Sequence, residues 1–275
     1  MIGKNFLLDV FNQNVSDLRF VAFDTETTGL SSEVDEVVEI SAIAFDEDFE
    51  QRRFESLVKP SIPIPSVAIE IHGITNEMVV GAPSFKEVIT QFSEFLTWVG
   101  RPRVLLAHNA KFDLSFLKKN EQCVRHEITI DTCLLARYLL PELKSHSLQN
   151  LAKYFKISSD RFHRATADTL VLKEIFMQLL GIAADQGLFR VGDLVECCGG
   201  YFFGVEYCLS PQNQMLSELV GKEQMVRIQY GQELEVRYIT PVKFHKKNGR
   251  YYLLAHCHRD EIQKTFKPEK IRLMR

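Results

Sequence analysis

The sequence has no hydrophobic run long enough to cross a bilayer. Its earliest apolar stretch, Phe6-Leu7-Leu8, is cut by Asp9, far below the ~20 residues of a spanning helix and too short for the core of a signal peptide. Its six cysteines, at positions 123, 133, 197, 198, 208 and 257, form no CxxC pair and no regular framework. Reduced thiols and a cytoplasmic location are therefore expected, with no membrane partner. Internal repeats and low-complexity tracts are also missing. What remains is an ordinary globular composition, 45% hydrophobic and 25% charged over 275 residues, enough for one large domain and a small one.

The net charge of −3 conceals an asymmetry. Residues 222–275 carry 13 Lys/Arg against 6 Asp/Glu, a balance of +7, which leaves 20 against 30, or −10, for residues 1–221. An acidic body with a basic tail module predicts two domains and a polyanionic partner for the second.

Along the chain, residues 1–17 read as a leader with a short helix on the domain edge. The apolar run Phe20-Val21-Ala22-Phe23 opens a strand, and strands over 36–45 and 54–58 follow as a meander. Pro60, Pro63 and Pro65 interrupt regular structure. Phe85, Val88, Ile89, Phe92, Phe95 and Leu96 have the period of a helix that ends before Gly100. Arg103 to Ala107 and Ile128 to Ile130 are short strands, each leading into a helix. Further helices are expected over 134–140, 148–155 with Ser147 as N-cap, and about 165–180. The α/β domain so defined spans 18–182. Residues 183–214, rich in glycine, read as a connecting segment. From 215 on, strand alternation over 226–230 and 234–238, with Asn248-Gly249 as a hairpin turn between 242–244 and 251–254, predicts a small β-barrel.

The chemistry is carried by three stretches. Asp24 and Glu26 leave one face at the polar end of the first strand, and two carboxylates so placed repel unless a cation sits between them. Asp113 begins a helix directly after a strand, so it can reach the same carboxyl edge of the sheet, where open α/β sheets place their sites. Asp168 lies in the first turn of the last long helix, where the helix dipole favours an anion, and His163 precedes it in a polar loop. All-oxygen ligands select hard ions, Mg²⁺ or Mn²⁺. Four carboxylates suit two such ions, the arrangement for in-line attack of water on a phosphodiester. His163, with a side chain that titrates near neutrality, suits the base that takes the proton from that water.

Asp24-x-Glu26, Asn109-Ala110-Lys111-Phe112-Asp113 and His163-Arg164-Ala165-Thr166-Ala167-Asp168 together resemble the three motifs of the DEDDh exonucleases, the branch that contains the proofreading epsilon subunit of bacterial DNA polymerase III. The resemblance covers about 18–182 and extends to His72-Gly73-Ile74-Thr75 and Asp131-Thr132. It implies a ribonuclease H-like mixed sheet flanked by helices and 3′→5′ removal of nucleoside monophosphates. It further implies Asp24, Glu26, Asp113 and Asp168 as metal ligands and His163 as general base. Thr27 and His72 match positions that touch the terminal nucleotide. Asn109 and Phe112, from the second motif, join them on the substrate side, although Phe112 reads equally well as a core aromatic. Asp131 reads as structural. The C-terminal stretch resembles a WYL domain, an Sm- or SH3-like barrel, through Tyr230, Arg237-Tyr238-Ile239-Thr240-Pro241, 249–255, Arg259, Phe266 and Ile271, with Tyr251 in place of the tryptophan of the family's name. His256-Cys257-His258 offers no metal site, because neighbours alternate across a strand. The expected partner is DNA with single-stranded 3′ ends, with RNA as a second substrate class. A sensing protein that uses the nuclease fold as a platform is the alternative from another class, and a polymerase partner is undetermined.

Overall fold

A computed structural model describes residues 10–46, 50–100, 102–117, 127–158, 164–198, 216, 219–220, 222, 224–231, 235–247 and 250–274. The chain divides into two compact units, 1–206 and 207–275.

The first unit is built on a five-stranded sheet in the order β3-β2-β1-β4-β5. Its strands are β1 (Arg19–Thr27), β2 (Val37–Phe45), β3 (Glu50–Leu57), β4 (Arg103–Ala107) and β5 (Thr129–Asp131). β1, β2 and β3 pair antiparallel, while β4 and β5 join in parallel, so the sheet is mixed. This is the ribonuclease H-like arrangement. The helices are α1 (Ser66–His72), α2 (Phe85–Val99), α3 (Lys111–Leu117), α4 (Thr132–Leu139), α5 (Leu148–Phe155), α6 (Ala165–Asp185) and α7 (Val191–Cys197).

β2 is buried along its whole length because both faces are covered. On one face Val21, Phe23, Ile40, Ala42 and Ala44 pack with Phe92, Phe95 and Leu96 of α2. On the other, Phe176 of α6 meets Phe20 at 4.9 Å and Phe45 at 6.5 Å between ring centroids. The sheet thus has a period-two division of labour, and Asp24 and Glu26 follow Phe20 and Ala22 on the α6 face. α2 starts with a capping box between Ser84 and Glu87, which satisfies two amides that would otherwise lack partners. Asp131 caps α4, accepting from the amides of Cys133 and Leu134 at 3.0 and 3.2 Å, as its structural reading required.

Two expectations need correction in this unit. The last long helix runs on to Asp185, and part of the segment read as a connection is a packed helix, α7, with Val191, Leu194 and Val195 buried. Seven residues give too few turns for a periodic signal, and the flanking glycines masked it. Gly192 is there because a Cβ would come within 3.1 Å of the Phe11 carbonyl oxygen. Phe11 and Val10 are themselves buried, so the described end of the leader packs onto the domain.

The second unit holds a sheet in the order β10-β6-β7-β8-β9: β6 (Val226–Tyr230), β7 (Glu235–Lys247), β8 (Arg250–Cys257), β9 (Ile262–Phe266) and β10 (Ile271–Leu273). All pairs are antiparallel. The order ends at β9 and β10, which do not pair among the described residues, so the sheet is open rather than the closed barrel expected. The two strands expected over 234–238 and 242–244 are one, β7, continued through an irregularity between Pro241 and Lys243. A bulge is where a strand tolerates proline. Ile228, Ile239, Leu253, Ala255, Cys257, Phe266 and Ile271 form its core. The turn residues 248 and 249 lie outside the described residues. Cys133, Cys197, Cys198 and Cys257 are free thiols, and no described helix is long and apolar enough to cross a membrane.

Candidate active site

Asp24 and Glu26 are half-buried on the α6 face of β1. α6 lies across that face, and its first turn delivers Asp168. One carboxylate oxygen from each of Asp24, Glu26 and Asp168 lies within 4.8 Å of the others. Asp113, buried in α3, approaches from the β1–β4 side, where its Oδ1 accepts from the Thr25 amide at 3.1 Å and the Thr25 hydroxyl at 2.8 Å.

The electrostatics match this crowding. Burial, then the charges of Asp113, Glu26, Asp168 and Glu39, hold the Asp24 carboxyl well above the usual range. Glu26 is pushed up to about 8 by burial, then by Asp168, Glu39 and Asp113, with Arg164 opposing them. Burial raises Asp113 to about 7 against the lowering effect of the Thr25 hydrogen bonds. Acids whose protons are held by burial first and by one another's charge second form an all-oxygen donor set for a divalent cation.

The RNase_T family model, described as Exonuclease, matches residues 21–176. The chain belongs to this exonuclease family. A WYL domain model matches residues 213–275. Over 174 residues the chain is 38% identical to the DNA polymerase III subunit epsilon of Treponema pallidum (strain Nichols), covering 61% of this chain and 79% of that protein. Over 162 residues it is 41% identical to the PolC-type DNA polymerase III of Clostridium perfringens (strain 13 / Type A), covering 58% of this chain and 11% of that protein. The chain thus spans only about a tenth of the PolC-type relatives. Among solved structures, "Exonuclease X in complex with 5′ overhanging duplex DNA" superposes with a TM-score of 0.52 at 26% identity, covering 66% of this chain and 99% of that one. The nuclease domain of 3′hExo, a DEDDh family member bound to rAMP, gives 0.53 at 18% identity, covering 62% and 94%, and shares the fold.

The other candidates of the exonuclease domain are placed as follows. His163 lies outside the described residues. The Thr27 hydroxyl donates to the Gly29 carbonyl at 2.6 Å. His72 ends α1, buried. Its Nδ1 accepts from the Ile74 amide at 3.0 Å, which leaves the proton on Nε2. Burial lowers its pKa, and the Thr27 backbone acts in the opposite sense, so His72 sits beside the start of the Thr27–Gly29 turn. Asn109 is exposed with φ of 67°, a left-handed conformation asparagine tolerates, and its amide donates to Asp131 Oδ1 at 3.2 Å. Phe112 is half-buried against the core and lies 5.1 Å from Phe116, which favours its packing role.

Sequence reasoning passed over Glu39. It is fully buried in β2, directly across from Glu26, and Arg164 Nη2 donates to its Oε1 at 2.6 Å. The available signal was a lone carboxylate inside the apolar run Val37-Val38-Glu39-Ile40.

Proposed function

We propose that this chain is a divalent-metal-dependent 3′→5′ exonuclease that releases nucleoside monophosphates from DNA ends. The observation that carries the reading is the convergence of Asp24, Glu26 and Asp168 within 4.8 Å, with Asp113 beside them, in a domain of the exonuclease family. These four would hold two ions, Mg²⁺ or Mn²⁺, and such ions lower the barrier by neutralising charge at the attacked phosphate. The chain's own residues orient the rest. The Thr25 hydrogen bonds aim the Asp113 carboxylate. The Thr27–Gly29 turn and His72 form the wall where a terminal nucleotide would lie, with Asn109 and Phe112 on the α3 side. His163, directly before Arg164 in sequence, takes the proton from the attacking water. DNA is favoured as substrate by the polymerase III relatives and by Exonuclease X. RNA is the second reading, favoured by the neighbour that binds rAMP.

The C-terminal unit, with its open antiparallel sheet, is proposed to hold single-stranded nucleic acid. Tyr238 is 44% exposed and pairs across the sheet with the exposed Arg227, giving a ring for base stacking beside a cation for phosphate. Not all 13 Lys/Arg of residues 222–275 are free to meet phosphates. Arg237 bonds Glu235 and Asp260, Arg259 pairs with Glu235, and Lys264 pairs with Asp260. Tyr230 and Phe266 pack on each other in the core.

The deciding experiment follows 5′-labelled single-stranded and duplex DNA and RNA with Mg²⁺, Mn²⁺ or EDTA. A ladder shortening from the 3′ end in metal, and none in EDTA, is expected. Endonucleolytic cuts, loss of the 5′ nucleotide first, or activity in EDTA would refute the reading. Tyr238→Ala with Arg227→Ala should weaken binding to a long single strand and flatten its salt dependence; unchanged binding would remove the nucleic-acid role from this unit.

A further inference from the structure

Glu39 and Ser41 are the polar exceptions in β2, two residues apart and so on one face. By register they stand opposite Glu26 and Asp24, facing α6. Both reach the start of that helix. Glu39 spends both carboxylate oxygens there: Oε1 on Arg164 Nη2 at 2.6 Å, and Oε2 on Arg164 Nε at 3.3 Å and the Ala165 amide at 2.9 Å. Ser41 Oγ meets Thr169 Oγ1 at 3.2 Å. Arg164 is the N-cap residue of α6 yet supplies no side-chain cap, so a carboxylate from the neighbouring strand does for Ala165 what a capping serine does elsewhere. The Asp168 amide closes the first helical turn onto the Arg164 carbonyl at 2.9 Å. Asp168 is therefore one turn from the Glu39 clamp and one residue from the Ser41 contact, bracketed by two tethers to β2.

That bracket opposes a force. Asp168 faces Asp24 and Glu26, and whenever these acids are ionised together without a cation, like charges push the start of α6 away from β1. We propose that Glu39 is a positioning residue: by gripping Arg164 and accepting from the Ala165 amide, it fixes the first turn of α6 and holds Asp168 at its distance from Asp24 and Glu26. With both oxygens engaged, Glu39 is not a fifth ligand. Its effect on turnover rests on the exonuclease reading above; the tether does not.

The test uses the full chain with Glu39→Gln, Arg164→Gln, the double variant, and Ser84→Ala, which removes the cap of α2 and serves as a control for a loss of stability away from the site. Amide hydrogen exchange in EDTA should quicken by about tenfold or more over Ala165–Thr169 in both single variants. On a short oligonucleotide, well below every Tm, kcat should fall by about 10- to 100-fold while KM stays within about twofold. The double variant should resemble either single one, because the two side chains act through each other. Ser84→Ala should lose stability without losing kcat. Unchanged exchange, additive losses, weakened Mn²⁺ binding in Glu39→Gln alone, or a kcat for Glu39→Gln equal to that of Ser84→Ala would each overturn the proposal. If the wild type degrades no nucleic acid, the exchange data still decide the tether, and only the functional reading falls.

Discussion

Removing divalent metal should make the stability of this protein fall with rising pH across neutrality, opposite to the usual behaviour of carboxylates. Glu26 rises from 4.5 to about 8 in the fold and Asp113 from 3.8 to about 7. Groups whose folded pKa is raised give stability that is complete below the unfolded pKa and is lost as pH climbs through the folded one. In that window the unfolded chain binds fewer protons than the native one, so the slope is negative. From about pH 6 to about pH 8, Glu26 loses up to ~2.7 kcal/mol and Asp113 up to ~1.4 kcal/mol at 1.36 kcal/mol per pH unit. Glu26 is half-buried, so solvent screening trims the sum to about 2–3 kcal/mol. For a domain of this size that is a fall in Tm of roughly 4–12 °C. Metal reverses the trend, since a bound cation replaces the protons. At about 100 times Kd it adds ~2.7 kcal/mol, and titration calorimetry in buffers of different ionisation enthalpy should register proton release near neutral pH. Thermal melts in EDTA and in Mn²⁺ across this pH range give both readings. A Tm in EDTA that is flat or rises from about pH 6 to about pH 8, or metal binding without proton release, would refute the electrostatic account of the cluster.

Asp24→Asn should abolish turnover by several kcal/mol of barrier, as a severed metal site does, yet raise Tm in EDTA above about pH 8 because one repelling charge is gone; equal activity in a folded variant would sink the ligand assignment. His163→Ala should cost on the order of 10² to 10⁴ in rate with Mn²⁺ affinity intact, and loss of the ion instead would make it a ligand. Arg103 donates to the Leu96 and Gly100 carbonyls at 2.6 and 2.8 Å and to Glu127 at 2.5 Å. Arg103→Met should therefore cost about 3–5 kcal/mol, read as denaturant midpoint, with kcat unchanged below Tm.

What could be read from sequence followed distance along the chain. Helix α5 matches its expected bounds, Leu148–Phe155, with Ser147 accepting from the Asn150 amide, because caps and periodicity are local signals. Asp24 and Glu26 were legible as a pair because a strand fixes i and i+2 on one face. Their meeting with Asp168 was legible through motif order. The grip of Glu39 on Arg164 spans 125 positions and depends on the register of β1 with β2, which no local pattern encodes. The bulge that joins two short strands into β7 was hidden for the same reason, since Pro241 reads locally as a strand breaker.

The acid cluster also gives a role to the aromatic surface that lies farther along the same face of the sheet. Asp24 and Glu26 on β1, with Asp113 and Asp168 brought to them from α3 and α6, work against folding until a cation arrives, by a few kcal/mol on the figures above for Glu26 and Asp113. Phe20, Phe45 and Phe176 meet on that same face, farther along β1, β2 and α6. Each buried phenylalanine contributes on the order of 1.5–3 kcal/mol, with an added gain for edge-to-face ring contacts. Their packing therefore exceeds the repulsion at the far ends of β1 and β2 and at the start of α6. α6 is thus a helix pulled onto the sheet at its middle by aromatic burial, pushed off at its start by charge, and clamped there by Glu39. The unliganded site can then stay assembled, with its carboxylates already gathered where the metal is to bind.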